Sequence, residues 1–225
     1  MQRGHRVPSL VPYLARSARL VQDGSIFWKG SFCTGLWDPY PKARLHLLFV
    51  PAPGTLLQLP HTAAAGSASR EKSKIQTTLT GGISARQSIS ERSSQGPIQS
   101  VSDIVWGHHS SELQAFHREA KAVTEAMLAR LNVETGPEGS LGTFGPLQMC
   151  YHLVPSLRPL HLHGITLDMA SESTKTRKHL QSFLSAASIT PEELEQVLKL
   201  RPSQPLDKEW CIERSRAGLA TTIQC

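Results

Sequence analysis

The alternation of apolar and polar residues predicts short β-strands near both ends of the chain. The clearest strand covers residues 43–50, and its faces carry Leu45, Leu47 and Phe49 on one side and Arg44, His46 and Leu48 on the other. Successive side chains of a strand point to opposite faces, so this pattern predicts one core face. Further strands are predicted at 25–28, 33–37, 142–154 and 160–167.

A long helix is predicted at residues 111–131, where apolar residues recur at three and four positions. These residues are Leu113, Phe116, Ala120, Val123, Met127 and Leu131. Ser110 or Ser111 is the expected N-cap. The apolar stripe is typical of core packing.

A second helix is predicted at residues 191–200. Thr190 precedes Pro191 and Glu193, which is the order of a capping residue, a first-turn proline and a capping-box glutamate. Beyond Arg201 no periodic pattern is found, so residues 201–225 are predicted to be an irregular tail.

Residues 61–102 differ in composition from the rest of the chain. They are rich in Ser, Thr, Gly, Ala and Gln and almost lack aromatic residues. Such a segment buries too little apolar surface to offset its ordering entropy, so disorder is predicted. It is an insertion, a regulatory segment or translated non-coding sequence. It interrupts one predicted catalytic domain at 12–200, which follows a basic N-terminal arm at 1–11.

The chain is basic, with 24 Lys and Arg against 18 Asp and Glu and a formal net charge of +6. This balance favours a polyanionic partner, either nucleic acid or a phosphate-bearing substrate, although many proteins are mildly basic without one. The arginines before Asp23 resemble an organelle presequence. Pro8 and Pro12 would break an amphipathic helix there, which favours a basic arm instead.

The cysteines argue against two classes of protein. Cys33, Cys150, Cys211 and Cys225 contain no Cys-X-X-Cys pair, so neither a disulfide framework nor a zinc site is predicted. Free thiols fit a reducing compartment. No apolar run approaches the roughly 20 residues that span a bilayer, so no membrane partner is expected.

Histidines cluster between residues 151 and 163. His161 and His163 are two apart on a predicted strand, so both imidazoles leave the same face. His152 lies on a segment that could pair with this strand, and the Ser156 hydroxyl could join the same pocket. Imidazole titrates near neutral pH and can act as nucleophile, acid or donor to phosphate. A surface strand or a chance metal site is the alternative.

Three motifs in this order carry a family resemblance. The first is Asp38 before Tyr40-Pro41-Lys42-Ala43-Arg44-Leu45-His46, and the second runs from Tyr151-His152 through Pro155-Ser156 to His161-Leu162-His163. The third is Lys175-Thr176-Arg177-Lys178-His179-Leu180-Gln181-Ser182-Phe183. The set resembles the aprataxin family, histidine-triad enzymes that remove adenylate from DNA 5′ ends, and is closer to its fungal members. The resemblance covers about residues 12–185. It implies an α+β histidine-triad-like fold with an antiparallel sheet of about five strands and two flanking helices.

The resemblance also implies roles for the histidines. His161 falls on the nucleophile, which forms a covalent histidine–AMP intermediate, and its other ring nitrogen is expected to donate to a backbone carbonyl. His163 is expected to bind a phosphate oxygen. His152 is expected to contact the phosphate or protonate the leaving group, and Ser156 to donate to a phosphate oxygen.

Other residues are assigned in the same way. Asp38 matches the residue that accepts from the ribose hydroxyls, although an aspartate before Pro39 also suits a turn. Lys42 and His46 match positions near the phosphates, with a solvated lysine and a hydrogen-bonded buried histidine as the alternatives. The predicted DNA-backbone contacts, which are also typical of a solvated face, are Lys175, Arg177 and Lys178.

The sequence departs from the family at several points. Pro159 occupies the first triad position, and Gly164 replaces a bulky apolar residue, which predicts a looser strand. No histidine follows His179, so the C-terminal zinc finger of the family is expected to be missing, as is the forkhead-associated domain of animal members.

The predicted function is therefore a DNA 5′-adenylate hydrolase acting on abortive ligation ends in single-strand break repair. The expected partners are adenylated or nicked DNA, AMP as product and other DNA-repair proteins, with no metal and no cofactor. A nuclear location is expected, with the cytoplasm as an addition and the mitochondrion less favoured. The alternatives are a histidine-triad hydrolase of small adenylates and a catalytically impaired nucleic-acid-binding relative.

Overall fold

The computed structural model describes residues 25–55, 57, 98–135, 144–172, 174 and 176–220. The predicted N-terminal arm, most of the predicted insertion and Lys175 lie outside these residues. Among the described residues no helix is long and apolar enough to cross a membrane.

One antiparallel sheet forms the centre of the molecule. Its strands follow the chain as β1 (Ile26–Lys29), β2 (Cys33–Trp37), β3 (His46–Pro51), β4 (Leu147–His152), β5 (Leu162–Thr166) and β6 (Ser188–Ile189). The spatial order is β1-β2-β3-β5-β4-β6. β3 and β5 are thus neighbours although a long stretch of chain separates them.

Helices cover the sheet and follow it in the chain as α1 (Trp106–Thr135), α2 (Arg177–Leu184), α3 (Pro191–Lys199) and α4 (Lys208–Ala220), after a short 3₁₀-helix at Val101–Asp103. The predicted α+β class with an antiparallel sheet is confirmed. The strand number is six in the described residues rather than about five, and the α-helices number four rather than two. The two-residue β6 is too short to leave a pattern in the sequence.

The two faces of the sheet pack differently. On one face Leu47 and Phe49 join the apolar stripe of α1, including Leu113 and Phe116, in the main core. On the other face a smaller cluster forms beneath α2, from Ala43, Cys150, Ile165 and Phe183. The predicted alternation of the 43–50 strand is confirmed, and the second face is the one that carries the candidate site.

Helix α1 begins five residues earlier than predicted. The predicted caps Ser110 and Ser111 lie inside it. At the helix start His109 Nδ1 lies 3.0 Å from both the backbone nitrogen and the carbonyl oxygen of Val105, so a histidine rather than a serine contacts the backbone there. Helix α3 agrees with the prediction, because Thr190 Oγ1 accepts from the Glu193 N–H at 3.2 Å.

Gly164 has a different role from the predicted loosening of β5. A Cβ at this position would lie 2.9 Å from Thr124 Oγ1 and 3.0 Å from Thr124 Cγ2. Thr124 belongs to α1 and is fully buried. The glycine therefore lets α1 pack directly against the backbone of β5, immediately after the two histidines.

Two segments predicted to be irregular are ordered in part. Ile98 and Val101, at the end of the predicted 61–102 insertion, are buried in the main core. Residues 208–220, in the predicted tail, form α4, and Cys211 is buried with the core. The packed core therefore extends beyond residue 200, because α4 contributes Cys211 to it.

Candidate active site

Four imidazoles lie side by side on the α2 face of the sheet. β3 begins at His46, β4 ends at His152, and β5 between them carries His163. The His163 ring centroid is 5.2 Å from that of His46, 4.5 Å from that of His152 and 5.0 Å from that of His161. The structure thus brings together the three histidines of the 151–163 segment and adds His46.

The imidazoles line a cavity of about 830 Å³. This size lies within the range of roughly 300–1,000 Å³ that is usual for small-molecule sites. The predicted site residues Asp38, Lys42, Ser156 and Lys178 also line it, whereas Arg177 does not.

His161 is held in one tautomer by the backbone. Its Nδ1 lies 3.0 Å from the carbonyl oxygen of Pro159. A carbonyl can only accept, so Nδ1 carries the proton and Nε2 keeps its lone pair. The proline removes a backbone N–H but retains its carbonyl. The departure at Pro159 therefore leaves the expected hydrogen bond of His161 intact.

His163 is fixed by a relay through His46. The Lys42 backbone N–H donates to His46 Nδ1 at 3.1 Å, so the ring proton of His46 lies on Nε2. That nitrogen is 2.9 Å from His163 Nδ1 and donates to it, which leaves the His163 proton on Nε2. Nε2 of His163 is buried without a hydrogen-bond partner in the described part of the protein.

His152 supplies a second such atom. Its Nε2 is also buried and lacks a partner among the described residues. Buried polar nitrogens ordinarily have partners, because an unmade hydrogen bond costs about 1–3 kcal/mol. Two of them at one cavity indicate that a polar ligand completes the site. A phosphate offers several acceptor oxygens to such donors.

The imidazoles are neutral at physiological pH. Burial is the main cause, and it lowers the pKa of His46 and of His152 to about 3. Burial also lowers the pKa of His161, although its hydrogen bond to Pro159 opposes this. The pKa of His163 is lowered well below its usual value, by burial and then by the imidazoles around it. An unprotonated Nε2 on His161 is the form required of a nucleophile.

Asp38 is the carboxylate at the cavity edge. Its Oδ1 accepts from the Tyr40 N–H at 2.7 Å, so the turn interpretation and a ligand contact can coexist. Its Oδ2 is 3.4 Å from His46 Nδ1. Burial raises the pKa of Asp38 above its usual value.

Asp38, His46 and His163 also present ligand atoms within 4.8 Å of one another. That spacing would suit a metal ion. Both ring nitrogens of His46 nevertheless face protein partners already, Lys42 N and His163 Nδ1. The arrangement therefore suits a hydrogen-bonded ligand better than a metal.

Of the remaining predicted residues, Lys42, Ser156 and Lys178 line the cavity, Arg177 lies next to Lys178 outside the lining, and Lys175 is outside the described residues. Ser156 and Lys178 are both exposed, and Arg177 and Lys178 begin α2. The Lys42 ammonium donates to the Tyr40 carbonyl at 2.7 Å. These positions are compatible with contacts to a substrate that extends out of the cavity.

Sequence reasoning missed two contributions to the site. Phe183 packs against the imidazoles, with its ring centroid 4.7 Å from His152 and 5.2 Å from His163. Helix α4 adds lining residues Ile212, Ser215, Arg216 and Leu219. Phe183 is the last residue of the third motif but was given no role, whereas α4 left no periodic signal.

The relay predicts a loss of phosphate affinity when His46 is changed. His46→Phe keeps a ring but removes the donor to His163 Nδ1, so the His163 tautomer is no longer fixed. AMP affinity, measured by calorimetry, should fall about tenfold, as for one hydrogen bond to a charged group. His46→Gln is the matched variant, because its amide can still donate.

The ¹⁵N shifts of the His163 ring separate this positioning role from simple packing. They should report a mixed tautomer in His46→Phe and the Nε2–H form in His46→Gln. Equal losses of AMP affinity in both variants, with an unchanged His163 tautomer, would contradict the relay.

Comparisons with known proteins agree with part of this picture. No family model matches the chain. Aprataxin of Gallus gallus is 30% identical over 105 residues, which cover 46% of this chain and 29% of the relative. Transcription factor bHLH140 of Arabidopsis thaliana is 53% identical over 36 residues, 16% of this chain and 4% of the relative. The chain thus spans under a third of the length of either relative.

Solved structures of Hnt3 also resemble the chain. Hnt3 in complex with DNA and guanosine has a TM-score of 0.48 at 13% identity and covers 93% of each chain. The aprataxin ortholog Hnt3 from Schizosaccharomyces pombe has a TM-score of 0.46 at 13% identity, covering 96% of this chain and 93% of its own. The similarity to aprataxin that the motifs predicted is confirmed, in sequence, over nearly half of the chain.

Proposed function

We propose that this chain hydrolyses the adenylate from 5′-adenylated DNA ends left by abortive ligation, through a covalent histidine–AMP intermediate. The observation that carries the proposal is His161, whose Nδ1–H is held by the Pro159 carbonyl so that Nε2 is an unprotonated nucleophile. The sequence similarity to aprataxin supports the choice of substrate.

The reaction proceeds in two displacements. His161 Nε2 attacks the adenylate phosphorus, a P–N bond forms, and the P–O bond to the DNA 5′-phosphate breaks with its electron pair remaining on the leaving oxygen. Water then attacks the same phosphorus, the P–N bond breaks, its pair returns to Nε2, and AMP and a proton are released. Dividing one difficult step into two easier steps is the benefit of covalent catalysis.

The other groups act on the phosphate and the ribose. His163 Nε2–H donates to a non-bridging oxygen, where negative charge grows in the transition state. His152 contacts the phosphate or the leaving oxygen, and the Ser156 hydroxyl at the cavity mouth donates as well. Asp38 accepts from the ribose hydroxyls through its carboxylate. All of these side chains line the same cavity.

The DNA lies, in this proposal, along the basic start of α2. Lys178 lines the cavity mouth and Arg177 is its neighbour on the exposed surface; Lys175 precedes them in the chain. The overall charge of +6 favours a polyanion. A DNA-repair role would place the chain in the nucleus together with other repair proteins.

The deciding experiment compares substrates with the full-length chain. A nicked duplex with an adenylated 5′ end is expected to react faster than a small adenylate ester, and added salt should weaken binding of the duplex by about 0.7–0.9 log units per log unit of salt for each phosphate contact. Faster turnover of the small ester, without salt dependence, would identify a general histidine-triad hydrolase. Binding of nicked DNA without any turnover would identify an impaired relative.

A further inference from the structure

The wall of the cavity that faces away from the sheet is built by helices α2 and α4. Helix α4 contributes Ile212, Ser215, Arg216 and Leu219 to the lining. These positions recur at three and four residues, so they form one face of the helix. Arg216 is exposed on this face. The site is therefore enclosed partly by a segment that the motifs do not include.

Helix α4 is held firmly in this position. Arg214 Nη2 lies 2.7 Å from Glu193 Oε1, and Arg214 Nε donates to the Ala186 carbonyl at 3.3 Å. Gly218 packs so closely that a Cβ there would lie 2.3 Å from the Ala187 backbone nitrogen. Ser215 is buried one turn away. Because these contacts join α4 to the segment 185–193, they place the backbone of Arg216 beside the cavity.

The charges of the lining are unequal. Asp38 is the one carboxylate among the described lining residues, whereas Lys42, Lys178 and Arg216 are cations. Lys42 donates to the Tyr40 carbonyl, and the buried imidazoles are neutral. Lys178 on α2 and Arg216 on α4 are therefore the cations in the part of the cavity lining that these two helices contribute. An anionic group would be favoured between them.

We propose that Arg216, with Lys178, forms a subsite for a second phosphate group, the one that leaves when His161 attacks the adenylate phosphorus. The subsite makes the site selective for adenylates joined to another phosphate over adenylates joined to an uncharged group. This inference rests on the proposed function for the identity of the leaving group, which would be the 5′-phosphate of DNA.

The chemistry of the two cations suits this role. The planar guanidinium of Arg216 can donate two parallel N–H groups to phosphate oxygens, and the Lys178 ammonium adds a point charge. The leaving phosphate gains negative charge as the P–O bond breaks. A cation placed beside it therefore binds the transition state more strongly than the bound substrate.

Nucleotide binding tests the subsite without turnover. AMP and ADP differ by one phosphate, and both are titrated by calorimetry into the full-length His161→Ala protein, which cannot form the intermediate. ADP is expected to bind more tightly than AMP. Adding Arg216→Gln should weaken ADP binding about tenfold, as for a lost charge-assisted hydrogen bond, and leave AMP binding unchanged. Lys178→Gln should weaken ADP binding in the same direction.

Arg201→Gln is the matched control, because Arg201 is exposed and does not line the cavity. It should leave the ADP-to-AMP preference intact. No preference for ADP in the starting protein, or equal weakening of AMP and ADP by Arg216→Gln, would overturn the subsite.

Turnover of an adenylated nicked duplex by the unmodified chain is measured in parallel. Failure there, with the ADP preference present and dependent on Arg216, would reject the DNA substrate but retain the phosphate subsite.

Discussion

Replacing His161 by alanine is expected to abolish turnover of an adenylated 5′ end, with a fall in kcat of at least about a thousandfold. The variant lacks the nucleophilic Nε2 of His161. In the parent protein the Nδ1–H of this ring donates to the Pro159 carbonyl, so the proton is on Nδ1 and the lone pair of Nε2 is available for attack. The measurement is single-turnover release of labelled AMP. The fold should persist, because neighbouring core residues are unchanged.

The covalent intermediate supplies a second readout of the same change. Acid quenching early in the reaction should trap radiolabelled AMP on the parent protein and none on His161→Ala. His108→Ala, which alters an exposed histidine of α1, is the control and should retain the label. Label trapped on His161→Ala in normal yield would assign the nucleophile to another residue.

Acidification is expected to destabilise the protein steeply below pH 6.5. Burial lowers the pKa of His46 and His152 to about 3 and lowers those of His161 and His163 as well. Unfolded histidines titrate near about 6.5. As the pH falls below that value the unfolded chain takes up protons that the folded chain does not, so the free energy of unfolding falls until the folded pKa values are reached.

The size of this effect is large for a domain of ordinary stability. Each such histidine lowers the free energy of unfolding by about 1.4 kcal/mol per pH unit once the unfolded form is protonated. His46 and His152, whose folded pKa values are about 3, would together remove about 2.5 kcal/mol between pH 6 and pH 5, against a usual total of about 5–15 kcal/mol. Urea unfolding at a series of pH values measures the slope.

A matched pair of variants locates the origin of the slope. His152→Phe removes one imidazole of the cluster and should make the dependence shallower, whereas His108→Gln, at an exposed position that does not line the cavity, should leave it unchanged. A pH-independent free energy of unfolding between pH 7 and pH 5 would mean that the imidazoles are already solvated or charged in the folded protein.

The sequence predicted those parts of the site that depend on local periodicity. His161 and His163 were expected on one face because strand side chains alternate. The same rule predicted that His46 and Leu47 point to opposite faces of β3. In the structure the rings of His161 and His163 lie 5.0 Å apart at one cavity, although β5 begins only at Leu162, and Leu47 packs in the main core. The helix start at Thr190 was likewise predictable from local capping chemistry.

Features that depend on contacts between distant segments could not be predicted from the local sequence pattern. The His46–His163 hydrogen bond joins residues 117 apart in the chain. Helix α4 has no apolar stripe of its own, since Trp210, Cys211 and Ile212 are consecutive, and it is held instead by Arg214 and the close approach at Gly218. Gly164 is required because Thr124 of α1 packs where a Cβ would lie. The sequence of β5 alone gives no indication of this contact.

Two backbone hydrogen bonds of Ile98 bear on how the length of the chain can change. The Ile98 N–H donates to the Leu57 carbonyl at 3.3 Å, and the Ile98 carbonyl accepts from Leu160 N–H at 3.0 Å, beside the histidines. Leu57 and Ile98, the described residues on either side of 58–97, are therefore neighbours in the domain. Closure entropy grows only with the logarithm of length, about 0.6 kcal/mol per doubling. A change in the number of residues between Leu57 and Ile98 would thus alter the protein's size at a small cost in closure entropy.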